Sequence, residues 1–249
     1  MDVRASEEFE ADRLRGAVRV PIEMWEEKAK MPGSELGDPT FWEAAIGALG
    51  IDGGRPVVIY DDGRMTEAAR VWFILQHFGI HAAVLNGGWP ALDTVAGFDI
   101  EVGPAAQQVP VNFQARPGSG PVGLADRATV RAELGTSTQV FDARTAAEYA
   151  GTDYRKNARG GHLPGARHFA HADLLDPSGR LRTSGELRAV LEAAGFSPRA
   201  PIVTHCDGGG RAALAAIAAL RAGMPDVRVY YLSFADWARD EICPIERPF

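Results

Sequence analysis

Thiols are scarce in this chain: Cys206 and Cys243 are the two cysteines in 249 residues. Two cysteines cannot make a disulfide framework, and such sparse usage is expected of a protein from the reducing cytosol. Neither has a Cys or His at metal-ligand spacing, so no zinc site is expected. No apolar run approaches the ~18 residues a membrane span needs. There is no Lys/Arg-rich run either, and the formal net charge of −7 argues against a nucleic-acid partner. The opening stretch, MDVRASEEFEADRLRG, is charged throughout and reads as neither a secretory signal nor a lipidation site.

What is present is ordinary globular composition and a repeat. Hydrophobic residues make up 46% of the chain, enough for a substantial core. The segment Asp2–Pro21, DVRASEEFEADRLRGAVRVP, returns in modified form at Asp142–Phe169, DARTAAEYAGTDYRKNARGGHLPGARHF. Each has Asp-x-Arg, then Glu and an aromatic, then a Gly-Ala entry to an apolar segment. A second pair follows: LGIDGGRPVVIYDDG (Leu49–Gly63) against AGFSPRAPIVTHCDG (Ala194–Gly208), with Asp61 opposite Cys206 and Tyr60 opposite His205. A period of about 140 residues lies far above solenoid repeats and implies duplicated domains. The expected division is 1–96, a connecting stretch rich in proline and poor in apolar runs at 97–123, and 124–249.

Within each unit, short β-branched runs (PVVIY, PIVTH) precede helical runs that close on Gly79 and Gly223, and further strands are expected at HAAVLNGG and VRVYYLS. This alternation predicts an α/β fold, each domain a mostly parallel sheet flanked by helices. The second domain carries a helix and strand ahead of its Asp-x-Arg element. The first has none, so a frayed or less stable first domain is expected.

Cys206 falls at the carboxyl end of a predicted strand, where open α/β sheets place their sites. Gly208, Gly209 and Gly210 follow Asp207, and a helix is expected from about Arg211. Glycines can turn successive N–H groups inward into an anion-holding nest, and the helix N-terminus adds its dipole. Such a loop favours a thiolate. Cys243, which has no comparable loop, reads as a packing residue. His205 and His162 read as a packed strand-end residue and a turn residue.

The loop Cys206-Asp207-Gly208-Gly209-Gly210-Arg211 resembles the six-residue active loop of the rhodanese sulfurtransferases. DAR (Asp142–Arg144) with GGHLPGARHF (Gly160–Phe169) is similar to that family's other signature, and VLNGGWPAL (Val84–Leu92) to its N-terminal counterpart. The resemblance spans nearly the whole chain as a tandem of two rhodanese-like domains. It implies an inactive first domain, where Asp61 cannot be a sulfur nucleophile, and a catalytic second domain. Cys206 would carry a sulfane sulfur from a small anionic donor such as thiosulfate to cyanide or a thiol acceptor. The backbone of Asp207 to Arg211 would hold the persulfide, and no metal or organic cofactor is required. Arg211 would either orient the donor or close the loop on a carboxylate; Arg144 would either touch substrate or tie the strand to its neighbours. Relatives that use 3-mercaptopyruvate have an arginine four residues beyond the Asp-x-Arg arginine, where this chain has Glu148; this favours thiosulfate over 3-mercaptopyruvate. Asp207 is expected to turn away from a dianion or to pair with Arg211.

Two other classes compete. Thiolate phosphatases and arsenate reductases share an anion-cradling loop, but theirs is one residue longer, and here Ala212 stands where a hydroxyl would assist the leaving group. A non-catalytic sulfur-carrier or binding module is the other alternative; Cys206 itself argues against it.

Overall fold

The computed structural model describes residues 1–31, 36–94 and 97–247. Met1–Gly120 and Pro121–Phe249 form two compact units.

The first unit runs α1 (Ser6–Ala11), β1 (Arg13–Leu14), α2 (Ile22–Lys30), α3 (Pro39–Gly47), β2 (Val57–Ile59), α4 (Thr66–His77), β3 (Ala82–Val84) and β4 (Ile100–Glu101). Strands β2 and β3 pair in parallel, Val57 against Ala82 through Ile59 against Val84. Asp2 extends this sheet through parallel bridges to Tyr60 and to Arg19. The start of the unit is therefore paired on both sides, contrary to the expectation that it frays. Helix α4 is buried from Ala68 to His77, with Arg70, Gln76 and His77 buried among its apolar residues.

The stretch 97–123, expected as a linker partly extended over the surface, packs on the first unit up to Gly120. Strand β4 pairs antiparallel with β1. Val111 N–H donates to the Gly47 carbonyl at 3.0 Å, Arg116 N–H to Phe78 at 3.0 Å and Gly118 N–H to His77 at 2.8 Å. Phe113 is buried. A Cβ at Gly47 would collide with the Val111 carbonyl, so only glycine admits this approach. Residues up to Gly120 thus belong to the first unit, and Gly123 already opens the first strand of the second.

The second unit contains β5 (Gly123–Ala125), α5 (Arg127–Glu133), β6 (Gln139–Asp142), α6 (Ala146–Ala150), β7 (Arg167–His168), α7 (Ser184–Ala193), β8 (Ile202–His205), α8 (Gly210–Arg221), β9 (Val227–Tyr230) and α9 (Ser233–Trp237). Its sheet has the order β5-β9-β8-β6-β7, and every pair is parallel. Strands β6 and β8 are buried along their whole length. Val140, Leu163, Val203, Tyr230, Phe234 and Trp237 pack into one core cluster with Cys243, whose thiol burial pushes up.

Both units carry the same internal pin. Arg144 Nη2 donates to Asp142 at 2.6 Å and to the Gly161 carbonyl at 2.7 Å, and its guanidinium lies 4.0 Å from the Phe234 ring centre. In the first unit Arg4 Nη2 donates to Asp2 at 2.7 Å, and the Arg4 guanidinium carbon lies 3.9 Å from a Trp89 ring centre. Each pair is buried, so each charge depends on the other. Asp142→Ala leaves the Arg144 guanidinium buried without its counter-ion, at a cost of about 3–5 kcal/mol. Urea titration read by hydrogen exchange in β6 and β8 checks this; a loss below about 1 kcal/mol contradicts the pin.

Candidate active site

Strand β8 delivers Cys206 to its carboxyl end, and α8 begins four residues later at Gly210. Of the three loop glycines, only Gly209 uses a positive φ, +99°. A Cβ there would also stand 2.9 Å from the Tyr231 ring. The turn aims two backbone donors at the sulfur: Gly209 N–H at 3.1 Å and Gly208 N–H at 3.4 Å from Cys206 Sγ. Their direction is fixed from outside the loop. Phe234 N–H donates to the Cys206 carbonyl at 3.0 Å and Ala235 N–H to the Asp207 carbonyl at 3.2 Å. In a trans peptide the C=O and N–H point oppositely. Holding the Asp207 carbonyl toward α9 therefore turns the Gly208 N–H away from α9 and toward Sγ.

Ser233, which the sequence did not single out, completes the cradle. Its Oγ accepts from Cys206 N–H at 3.0 Å, donates to the Tyr230 carbonyl at 2.8 Å and lies 3.8 Å from Sγ. It is fully buried at φ +60°. That backbone costs a non-glycine residue roughly 1–2 kcal/mol, offset here by a hydrogen bond only a hydroxyl can make. The signal was available: Ser233 ends the segment VRVYYLS just as Gly88 ends HAAVLNGG in the first unit, an aromatic follows each, and Gly88 also has φ +60°.

The charged residues sort by contact. Arg211 closes on a carboxylate: Nη1 and Nη2 donate to the two oxygens of Glu148 at 2.6 and 2.8 Å. Glu148 is itself fixed as the third residue of α6, where it forms a capping box with Thr145. Burial works against the Glu148 charge, yet Arg211 and Thr145 hold its carboxyl down at about 2. Asp207 does not pair with Arg211; it turns to Asn157, whose Nδ2 donates to Oδ1 at 2.7 Å. Arg144, named above as a candidate for substrate contact, is 1% exposed with its donors committed to Asp142 and Gly161. It does not reach a solute; it ties β6 to the Gly160–Gly161 turn.

The histidines are packed. His205 is fully buried, and burial holds its imidazole down at about 4 despite the Asp142 carboxylate 3.5 Å away. His162 stacks on Tyr149 with centroids 3.8 Å apart, and its Nδ1 lies 3.0 Å from the Tyr149 carbonyl.

The first unit supplies an internal comparison. Asp61 stands where Cys206 does, and its carboxylate takes the loop donors for itself: Gly63 N–H at 3.0 Å, Met65 and Ala68 N–H each at 3.1 Å. Burial raises its pKa. Trp89 N–H donates to the Asp61 carbonyl at 2.8 Å, as Phe234 N–H does to Cys206. The scaffold is repeated; the sulfur is not.

A rhodanese-like domain profile matches residues 1–94 and 126–240. The thiosulfate sulfurtransferase of Pseudomonas aeruginosa is 33% identical over 237 residues, covering 87% of this chain and 85% of that protein. The 3-mercaptopyruvate sulfurtransferase of Escherichia coli is 27% identical over 254 residues, covering 98% and 87%. Among solved structures, an anaerobic ergothioneine biosynthesis enzyme from Chlorobium limicola superposes with a TM-score of 0.85 at 21% identity. That match covers all of this chain but 64% of the other, and it bears on the fold alone.

Two predictions follow from the loop and from the histidine beneath it. Gly209→Ala places a methyl group against Tyr231 at a strained φ, and is expected to cut the reactivity of Cys206 toward a small disulfide at least tenfold; unchanged reactivity contradicts the role given to Gly209. His205 stays neutral in the fold down to about 4, whereas in the unfolded chain it takes a proton near 6.5. The unfolded state therefore binds the proton first, and stability falls as pH drops from about 6.5 to about 4, by roughly 3 kcal/mol in all. Urea midpoints across this range are expected to fall less steeply in His205→Asn; parallel curves contradict the assignment.

Proposed function

The chain belongs to the rhodanese family, and on that premise we propose that it is a sulfurtransferase working through a Cys206 persulfide. The observation that carries this reading is the pair of loop amides, Gly208 and Gly209, aimed at the Cys206 sulfur. The Cys206 thiolate attacks the outer sulfur of thiosulfate. The new Sγ–S bond forms as the S–S bond of the donor breaks, and sulfite leaves with the electron pair. The terminal sulfur carries negative charge beside the loop amides, which stabilise it without reorganising. Cyanide or a thiol then attacks that sulfur and returns the Cys206 thiolate. Neither step needs a metal or an organic cofactor.

Cys206 is the catalytic residue, and Asp207, Gly208, Gly209, Gly210 and Arg211 form the loop that holds its charge. Arg144 acts as a positioning residue through Asp142. Both thiosulfate and 3-mercaptopyruvate sulfurtransferases are among the relatives; Glu148, a carboxylate where a carboxylate-binding arginine would be needed, favours thiosulfate. The partners are a small anionic sulfur donor and a thiophilic acceptor. Among the described residues no helix is long and apolar enough to cross a membrane. Two free thiols, Cys206 and Cys243, suit the cytoplasm.

The test is a single turnover with thiosulfate. The expected result is one sulfite per chain and a mass gain of one sulfur atom that cyanide removes, both abolished in Cys206→Ala. A stable gain that no acceptor removes would favour a carrier, and no gain at all with either thiosulfate or 3-mercaptopyruvate overturns the reading.

A further inference from the structure

Arg159, half-buried just before the Gly160–Gly161 turn, directs its guanidinium at four backbone carbonyls. Nε donates to Ala238 at 3.0 Å, Nη1 to Cys243 at 2.9 Å, and Nη2 to Trp237 at 3.1 Å and to Asp240. Trp237 and Ala238 close α9. Carbonyls at the carboxyl end of a helix have no partner inside it and form its negative pole, so a cation there satisfies both needs. The flat fork of an arginine meets several carbonyls at once, which a single ammonium does not.

The other end of α9 faces the nucleophile. Phe234 and Ala235 N–H hold the Cys206 and Asp207 carbonyls at 3.0 and 3.2 Å. A helix of five residues separates that grip from the one Arg159 exerts. Two residues before Arg159, Asn157 Nδ2 donates to the Asp207 carboxylate at 2.7 Å. The catalytic loop is thus held at its main chain and at its Asp207 side chain by elements that meet at Arg159. The body of α9 has anchors of its own. Trp237 is fully buried with Nε1 on the Pro244 carbonyl at 2.8 Å, and Asp236 accepts from Tyr230 Oη at 2.6 Å and Arg127 Nη1 at 3.0 Å. Without Arg159 the helix therefore stays packed but loses the contact that fixes its position along its axis.

The first unit shows that the fold does not require this cap. The bond from Arg144 Nη2 to the Gly161 carbonyl is matched there by Arg4 Nη2 to the Asp12 carbonyl, at 2.7 and 2.6 Å. Gly161 therefore corresponds to Asp12, and Arg159 to Glu10. A carboxylate cannot donate to a helix end. Both units keep the buried pin, and the unit that lacks the thiol lacks the guanidinium as well. Resting on the sulfurtransferase reading, we infer that Arg159 is a positioning residue for sulfur transfer: by capping α9 it fixes the first turn of that helix, and through it the aim of the Gly208 and Gly209 amides at the Cys206 sulfur.

The experiment compares the full chain with Arg159→Gln and Arg159→Lys, each checked for folding by urea titration. Single-turnover loading of Cys206 is followed over a range of donor concentrations, with thiosulfate and with 3-mercaptopyruvate. The Gly208 and Gly209 amide resonances are recorded before loading. Arg159→Gln is expected to lower the saturating loading rate about tenfold, to leave the half-saturating donor concentration within about twofold, and to move both resonances. Arg159→Lys, whose ammonium reaches fewer of the four carbonyls, is expected to lose about threefold. A role in stability alone lowers the urea midpoint but leaves the loading rate of the folded protein and both resonances unchanged; that result overturns the inference while leaving sulfur transfer intact. A loss carried by the half-saturating concentration at an unchanged saturating rate overturns it too, because it places Arg159 on the donor. Should Arg159→Gln fail to fold, Arg159→Lys decides by the same readouts. Failure of both donors to load the unmodified protein overturns the sulfurtransferase reading itself, and this inference with it.

Discussion

Two backbone hydrogen bonds set the direction of the catalytic loop. Phe234 and Ala235, in the first turn of α9, hold the carbonyls of Cys206 and Asp207, and planarity of the peptide then aims the Gly208 N–H at the sulfur. The contact exists because β8 and β9 are parallel neighbours, Thr204 beside Val229, so the chain leaves both at the same end of the sheet. Ser233, at the start of α9, takes up the Cys206 N–H that the turn would otherwise bury unsatisfied. The nest is thus imposed by the neighbouring strand's loop as much as by its own glycines.

The duplicated chain separates scaffold from chemistry. Both units have the buried Asp-x-Arg pin under an aromatic ring, the same amide-to-carbonyl bond onto the loop, and a residue at φ +60° where the last helical turn meets it. What differs is the group inside. Asp61 satisfies its loop's donors with its own oxygens, so the first unit holds a carboxyl group where the second keeps a nucleophile. At Ser233 and Gly88 the second unit uses a hydroxyl where the first, with Asp61 and Gly63 backbone atoms under 3 Å from any Cβ there, has no room for one.

Much of this was legible in the sequence. The repeat, the strand–loop–helix around Cys206 and the opposition of Asp61 to Cys206 rest on local patterns, and local patterns survive without coordinates. What escaped depends on residues far apart in the chain. Asn157 meets Asp207 across 50 positions and Glu148 meets Arg211 across 63, so nothing local betrays either contact. The stretch 97–123 reads as a linker because its prolines and scattered apolar residues lack a period; up to Gly120 it is instead the short strand β4 paired with β1, followed by an irregular strip with backbone hydrogen bonds to Gly47, His77 and Phe78. Three glycines suggested three unusual backbone conformations, and one sufficed, at Gly209.

The central claim is that the Gly208 and Gly209 amides bind the charge on the Cys206 sulfur. Amide proton resonances of these two residues, followed by NMR before and after sulfur loading, test it most directly. The account predicts that both move downfield and exchange more slowly in the loaded protein, while the Asp62 and Gly63 amides of the first unit stay where they are. Loaded and unloaded protein with identical Gly208 and Gly209 resonances would contradict it.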